Sequence, residues 1–147
     1  MLQQTTVEAV IPYYLRFMKR FPTIKELAKA NEEEVYKYWE GLGYYRRAKH
    51  ILETAQILHK QYHDQFPDDY QTILSLKGIG SYTAGAISSI AFSKEIAAID
   101  GNVLRIISRT HLISDNIALT TTQKNITEIV NKLIQGYNPS SFNQGLM

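Results

Sequence analysis

Residues 76–84 read LKGIGSYTA, and sixteen positions beyond Ala84 stands Asp100, inside the run IAAIDGNV at residues 96–103. The first string is a Gly-x-Gly turn between two segments of helical pattern. Glycine admits positive φ and close backbone approach, so Gly78 and Gly80 can present amide N–H groups outward, and the following helix N-terminus aims free donors at an anion. Leu76 and Ile79 would pin this turn to a core. The second string ends an apolar run in a carboxylate, followed by Gly-Asn and a new helical pattern, which is expected to place Asp100 at a cleft. Alone, a Gly-x-Gly is more often a helix C-cap, and an Asp-Gly more often a turn or N-cap. The two together carry more than either.

Working outward, apolar residues recur at helical spacing nearly throughout. Val7, Val10, Ile11, Tyr14 and Phe17 form one stripe. Thr23 with Glu26, and Asn31 with Glu34, have capping-box spacing and predict helix starts. The second of these helices should stop at Gly41-Leu42-Gly43. A longer helix is predicted over residues 45–61, with Ala48, Leu52, Ala55 and Leu58 on one face. Pro67-Asp68-Asp69 opens a short helix ending at the turn, residues 81–92 form a small-residue apolar helix, and further helices follow Asp100 and begin in the 120s. The reading is all-α, with about eight to ten short helices. Met1-Leu2-Gln3-Gln4 joins the first stripe without a cap, and residues 141–147 stop within a helical pattern, so both ends are expected to be cut.

The bulk numbers bound the classes. The chain has 147 residues, 44% hydrophobic and 20% charged, with no cysteine, which excludes disulfides and thiolate metal sites. No apolar stretch is long enough for a membrane helix, and the start lacks a signal peptide's form. The net charge of +2 divides as ten basic and ten acidic residues over 1–76, and six basic against four acidic over 77–147. Any nucleic-acid surface must therefore be a local patch. His59 and His63 have metal-ligand spacing but no third ligand follows, and exposed helix histidines are the reading.

With those residues in view, the chain resembles the helix-hairpin-helix (HhH-GPD) DNA glycosylase superfamily, and within it the adenine DNA glycosylase (MutY) family. The strings that carry the resemblance are MLQQTTVEAVIPYYLRFM from residue 1, WEGLGYYRRAKH at 39–50, LKGIGSYTAGAI at 76–87 with IDGNV at 99–103, and FNQGLM at 142–147. The resemblance implies two helical lobes around a cleft, with residues 1–147 a partial catalytic domain truncated at both ends and a hairpin motif at about 70–92. It implies removal of adenine mispaired with 8-oxoguanine or guanine, by base flipping and hydrolysis of the N-glycosidic bond.

Roles follow residue by residue. Asp100 would stabilise the oxocarbenium-like transition state, supported by Tyr82 and Asn102 near the sugar and leaving base. Gln3, Gln4 and Thr5 match the loop that approaches 8-oxoguanine. Tyr44 matches an aromatic wedge, beside Leu42, which replaces stacking lost when the base is extruded. Leu76, Gly78, Gly80 and Thr83 match the phosphate-binding hairpin, and Gln144 matches a contact to the edge of the extruded adenine. Arg46, Arg47 and Lys49 are phosphate candidates by charge alone, with a solvated face as the ordinary reading. One of Tyr44 and Tyr45 is expected in the core.

No residue is expected to bind a resident metal; the family's hairpin holds a monovalent cation. Its 4Fe-4S cluster sits on cysteines beyond FNQ, which this chain does not contain. The partner implied is duplex DNA carrying the mispair, with no membrane, for a monomer in the bacterial cytoplasm at the nucleoid. In the related bifunctional lyases the position of Tyr82 is a lysine that forms a Schiff base; a phenol cannot, which favours a monofunctional enzyme. The family's general-acid glutamate lies two residues before MLQQT, so the chain as given is expected to be poorly active or inactive. The alternatives are a glycosylase for T:G mismatches or oxidised pyrimidines, and a non-enzymatic hairpin module that only binds DNA.

Overall fold

Local caps decide where the helices begin. In a computed structural model that describes every residue except Gln3 and Gln4, the described residues form α1 (Val7–Arg20), α2 (Ile24–Ala28), α3 (Glu32–Trp39), α4 (Tyr45–Gln61), α5 (Tyr70–Ser75), α6 (Ser81–Phe92), α7 (Gly101–Thr110), α8 (Thr120–Leu133) and α9 (Pro139–Leu146), with no strand among them. The capping oxygens of Thr23 and Asn31 accept the amides of Glu26 and Glu34 at 3.2 and 2.8 Å. Each satisfies one donor that the first turn leaves orphaned. The first helix departs from expectation, because α1 carries its own N-cap: Thr6 Oγ1 accepts the Ala9 amide at 3.4 Å.

The chain divides into two units, Met1–Pro67 with Leu76–Gly78, and Asp68–Ser75 with Ile79–Met147. The first has an apolar and aromatic core. Trp39 and Val35 are fully buried, Phe17 and Phe21 pack as tilted rings 4.9 Å apart, and Phe17 meets the Trp39 ring edge-on at 6.2 Å. Leu42, Leu52, Ala48 and Ala55 complete the cluster. Of the predicted α1 stripe, Val10 and Phe17 are buried, whereas Val7, Ile11 and Tyr14 are exposed. Helical spacing fixed a common face, and the residues of that face differ in what covers them.

The second unit packs through small and polar groups. Ala84, Gly85, Ser88 and Ser89 of α6 are buried, and Ala97, Val103, Ile107, Ile126 and Val130 form the apolar cluster between α7 and α8. A Cβ on Gly85 would lie 2.2 Å from the Ala97 carbonyl oxygen, so glycine is what lets residue 97 approach α6. Among the described residues no helix is long and apolar enough to cross a membrane.

Candidate active site

The candidate residues divide between the two units. In the first, the turn GLGY is built from left-handed backbone: φ is +97° at Gly41, +68° at Gly43 and +50° at Tyr44. A Cβ at Gly41 would also strike the Tyr13 hydroxyl. The turn is held from within, since Trp39 Nε1–H donates to the Gly43 carbonyl at 2.9 Å and Leu42 is buried. The Leu42 side chain thus anchors the turn in the core. Tyr44 projects with 63% of its surface exposed, under an Arg47 guanidinium that lies 5.1 Å from its ring and 5.8 Å from that of Trp39.

Two expectations change here. Neither Tyr44 nor Tyr45 is in the core; Tyr45 is 43% exposed and meets Tyr36 edge-on at 5.7 Å. The run is not a uniformly solvated face: Arg47 lies over the rings of Trp39 and Tyr44, Lys49 pairs with Glu32 at 3.1 Å, and Arg46 is exposed. That pairing, with the Tyr36 hydroxyl, holds the Glu32 carboxyl below its ordinary value and raises the Lys49 ammonium. Thr5 is half-buried, its amide donating to the Leu2 carbonyl at 3.2 Å; Gln3 and Gln4 lie outside the described residues. His59 Nδ1 meets Asp64 Oδ1 at 2.7 Å, which gives that histidine a carboxylate partner.

The hairpin begins from a buried Leu76, and Gly78 takes φ +73° with His50 of α4 against its Cα. Thr54, one turn along α4, donates its hydroxyl to the Lys77 carbonyl at 3.1 Å. Gly80 differs from expectation: its backbone is extended (φ −91°, ψ 176°), and it serves as the N-cap of α6, with no side chain to occupy the first-turn amides. Absence of a capping side chain leaves those donors to water or to an anion. Thr83 is half-buried in that first turn.

In the second unit the chemistry-bearing residues converge. Asp100 is the N-cap of α7, its Oδ1 accepting the amides of Asn102 at 2.9 Å and Val103 at 2.8 Å. The structural role and the candidate catalytic role thus fall on one residue, since a carboxylate gripped by two amides is a fixed charge. Among the described residues its other oxygen receives only a long contact, 3.4 Å from Asn102 Nδ2. Asn102 Nδ2 also reaches the Met147 carbonyl at 3.3 Å, and the Tyr82 hydroxyl donates to Met147 Sδ at 3.6 Å. Asp100, Asn102 and Tyr82 therefore meet at the end of α9. Gln144, on that helix, is exposed and turned back on Ser140, to whose Oγ its Nε2 donates at 2.8 Å.

Sequence reasoning missed Asn131 and Asn143. The Ala97 amide donates to Asn131 Oδ1 at 2.9 Å, and the Ala98 amide to Asn143 Oδ1 at 3.0 Å. Asn143 Nδ2 donates to the Ile96 carbonyl at 2.9 Å. A polar residue one position from Gln144 was the only signal, and the partner lies 45 residues away.

Residues 1–135 match the family described as HhH-GPD superfamily base excision DNA repair protein. The whole chain is 43% identical to an adenine DNA glycosylase of Buchnera aphidicola and spans 42% of that protein's length. It is 39% identical to one of Arabidopsis thaliana, spanning 26% of its length. Among solved structures, a thermostable thymine-DNA glycosylase superposes over 99% of this chain and 67% of its own, with a TM-score of 0.85 and 28% identity.

Proposed function

The chain belongs to the HhH-GPD superfamily of base excision DNA repair proteins, and from that premise we propose that the protein containing it is a monofunctional adenine DNA glycosylase acting on duplex DNA with adenine opposite 8-oxoguanine or guanine. The observation that carries this reading is the grip on Asp100: two backbone amides on Oδ1, Oδ2 met among the described residues only by a long contact from Asn102, and Tyr82 adjoining. Cleavage of the N-glycosidic bond develops positive charge at the sugar, and a carboxylate that need not reorganise lowers the energy of that state. The α7 N-terminus supports the negative charge.

The other roles fit this chemistry. Tyr44 is the wedge, an exposed ring on a turn that Trp39 and Leu42 hold rigid. Gln144 reads the edge of the extruded base once it releases Ser140, and Arg46 and the α6 N-terminus with Gly78, Gly80 and Thr83 face phosphate. Tyr82, which has no amine, leaves Asp100 to act without a Schiff base and water as the nucleophile.

The carbonyls of Leu76 and Gly78 accept no hydrogen bond among the described residues, whereas that of Lys77 is taken by Thr54. These carbonyls would hold a hard monovalent cation, which would supply positive charge toward a phosphate. The family's iron–sulfur cluster finds no ligand in this cysteine-free chain, and no step runs through it. We place the protein as a monomer in the bacterial cytoplasm, at the nucleoid.

A thymine-specific relative is the second reading, favoured by the 0.85 superposition on a thymine-DNA glycosylase and compatible with tyrosine at position 82. The identity of the base released decides between them. Full-length protein incubated with A:8-oxoguanine, T:G and thymine-glycol duplexes should release adenine from the first. Thymine released from T:G, with adenine retained, would replace the proposal by its rival.

A further inference from the structure

Residues 96–98 lead to Asp100 but belong to no helix or strand, and Ala97 and Ala98 are buried. Buried backbone groups must find partners, and here side-chain amides supply them. Asn143, fully buried, accepts from the Ala98 amide at 3.0 Å and donates to the Ile96 carbonyl at 2.9 Å. Its carboxamide thus stands where a neighbouring strand's peptide group would. Asn131 takes the amide between them, that of Ala97, at 2.9 Å. From α6, Gly85 admits the Ala97 carbonyl where any Cβ would be 2.2 Å from it. The segment therefore has little freedom on either side, and Asp100 follows Ala98 by two residues.

Resting on the reading of Asp100 as the charge-stabilising carboxylate, we propose that Asn143 is a positioning residue for base release: its amide sets where the segment delivers Asp100 relative to α9, the helix that carries Gln144. A carboxamide meets the demand, because an acceptor for Ala98 and a donor for Ile96 are needed at one site. A charged aspartate supplies the first and repels the second; leucine supplies neither. Asn143 touches neither substrate nor the reacting atoms, and acts through the segment it holds. The neighbouring side chains split the work along one helix, Asn143 buried against the segment and Gln144 exposed.

The test is single-turnover release of adenine by the full-length protein from an A:8-oxoguanine duplex, with enzyme in saturating excess. Wild type, Asn143→Asp, Asn143→Leu, Gly85→Ala and Asp100→Asn are compared, together with duplex affinity and thermal melting. Under saturating enzyme the rate constant does not depend on the fraction folded. A merely structural asparagine would therefore change melting but not the rate constant. Leu52→Ala, a core change in the first unit, supplies that pattern as the control.

The expected result is a rate constant lower by about 10- to 100-fold in the Asn143 variants, as for small displacements of a catalytic group. Duplex affinity should stay within about threefold, since no DNA contact is removed. If neither Asn143 variant folds, Gly85→Ala presses on the same segment at the Ala97 carbonyl and should show the same split. Wild-type rate constants in the folded variants, with Asp100→Asn inactive, would overturn the proposal and leave the reading of Asp100 intact. Activity indifferent to Asp100→Asn would overturn both.

Discussion

The two units of this chain solve the burial problem in different ways. The first fills its interior with large rings, Trp39, Phe17 and Phe21, and caps its short helices locally through Thr23 and Asn31. The second buries glycine, alanine and serine on α6 and closes the gap with asparagine side chains bonded to backbone. Apolar contacts are numerous and forgiving of direction, whereas each buried amide has few partners and fixed geometry. The difference teaches where function can be sited. On the proposed reading, a wedge at Tyr44 needs a stiff mount, which aromatic packing provides, and a charge-stabilising carboxylate at Asp100 needs a position, which directional bonds provide.

The largest effect that would sharpen this contrast is Trp39→Ala. It removes the fully buried ring and the bond to Gly43, and should cost about 3–5 kcal/mol in denaturant unfolding. A loss below about 1 kcal/mol would mean the first core does not depend on its rings. Tyr44→Ala should leave melting unchanged, because the ring is mostly exposed, yet weaken base extrusion by about 1–3 kcal/mol of lost stacking. Fluorescence of a 2-aminopurine at the target position would read that directly. A destabilised but fully extruding variant would break the division between mount and wedge.

Ser88 tests the polar half. Its Oγ is buried and has no hydrogen-bond partner among the described residues, so Ser88→Ala should raise stability by about 1 kcal/mol, opposite in sign to any change at Asn143. Asn31→Ala removes one cap bond and should cost about 1 kcal/mol in thermal unfolding, with no change in base release. The smallest effect concerns acid. The amide and hydroxyl of Thr72 hold the Asp69 carboxyl below its ordinary value of 3.8. A folded value below the unfolded one means the contribution is complete above 3.8 and lost as pH falls through the folded value. Melting curves of wild type and Asp69→Asn should therefore run parallel above that pH and converge or cross only below it.

What the sequence made legible was local. Caps act over three residues, so Thr23 and Asn31 announced their helices, and the Gly41-Leu42-Gly43 stop and the full extent of α4 were readable from spacing and glycine. The turn at Gly78 and the N-cap role open to Asp100 were legible because their partners are sequence neighbours. What was not legible depends on distant chain. Val7, Ile11 and Tyr14 share a helical face with buried Val10 and Phe17, but periodicity says nothing of whether a neighbour covers each one. Leu42 reads as a wedge companion in its string, and its side chain also anchors the turn; Gly80 reads as a left-handed turn and proves an extended N-cap. Asn143 is one polar letter beside Gln144 until the segment 45 residues earlier folds against it.

The central claim is that Asp100 serves the reaction as well as the fold, and the substitution Asp100→Asn separates the two. Asparagine is an equally good N-cap, so melting should be preserved, with Asn102 and Val103 still bonded to the side-chain oxygen. Loss of the charge should lower single-turnover adenine release by the full-length protein by about 10²–10³-fold, the magnitude seen when one electrostatic stabiliser is removed. Release at the wild-type rate from a folded Asp100→Asn protein would contradict the account and leave Asp100 as a helix cap alone.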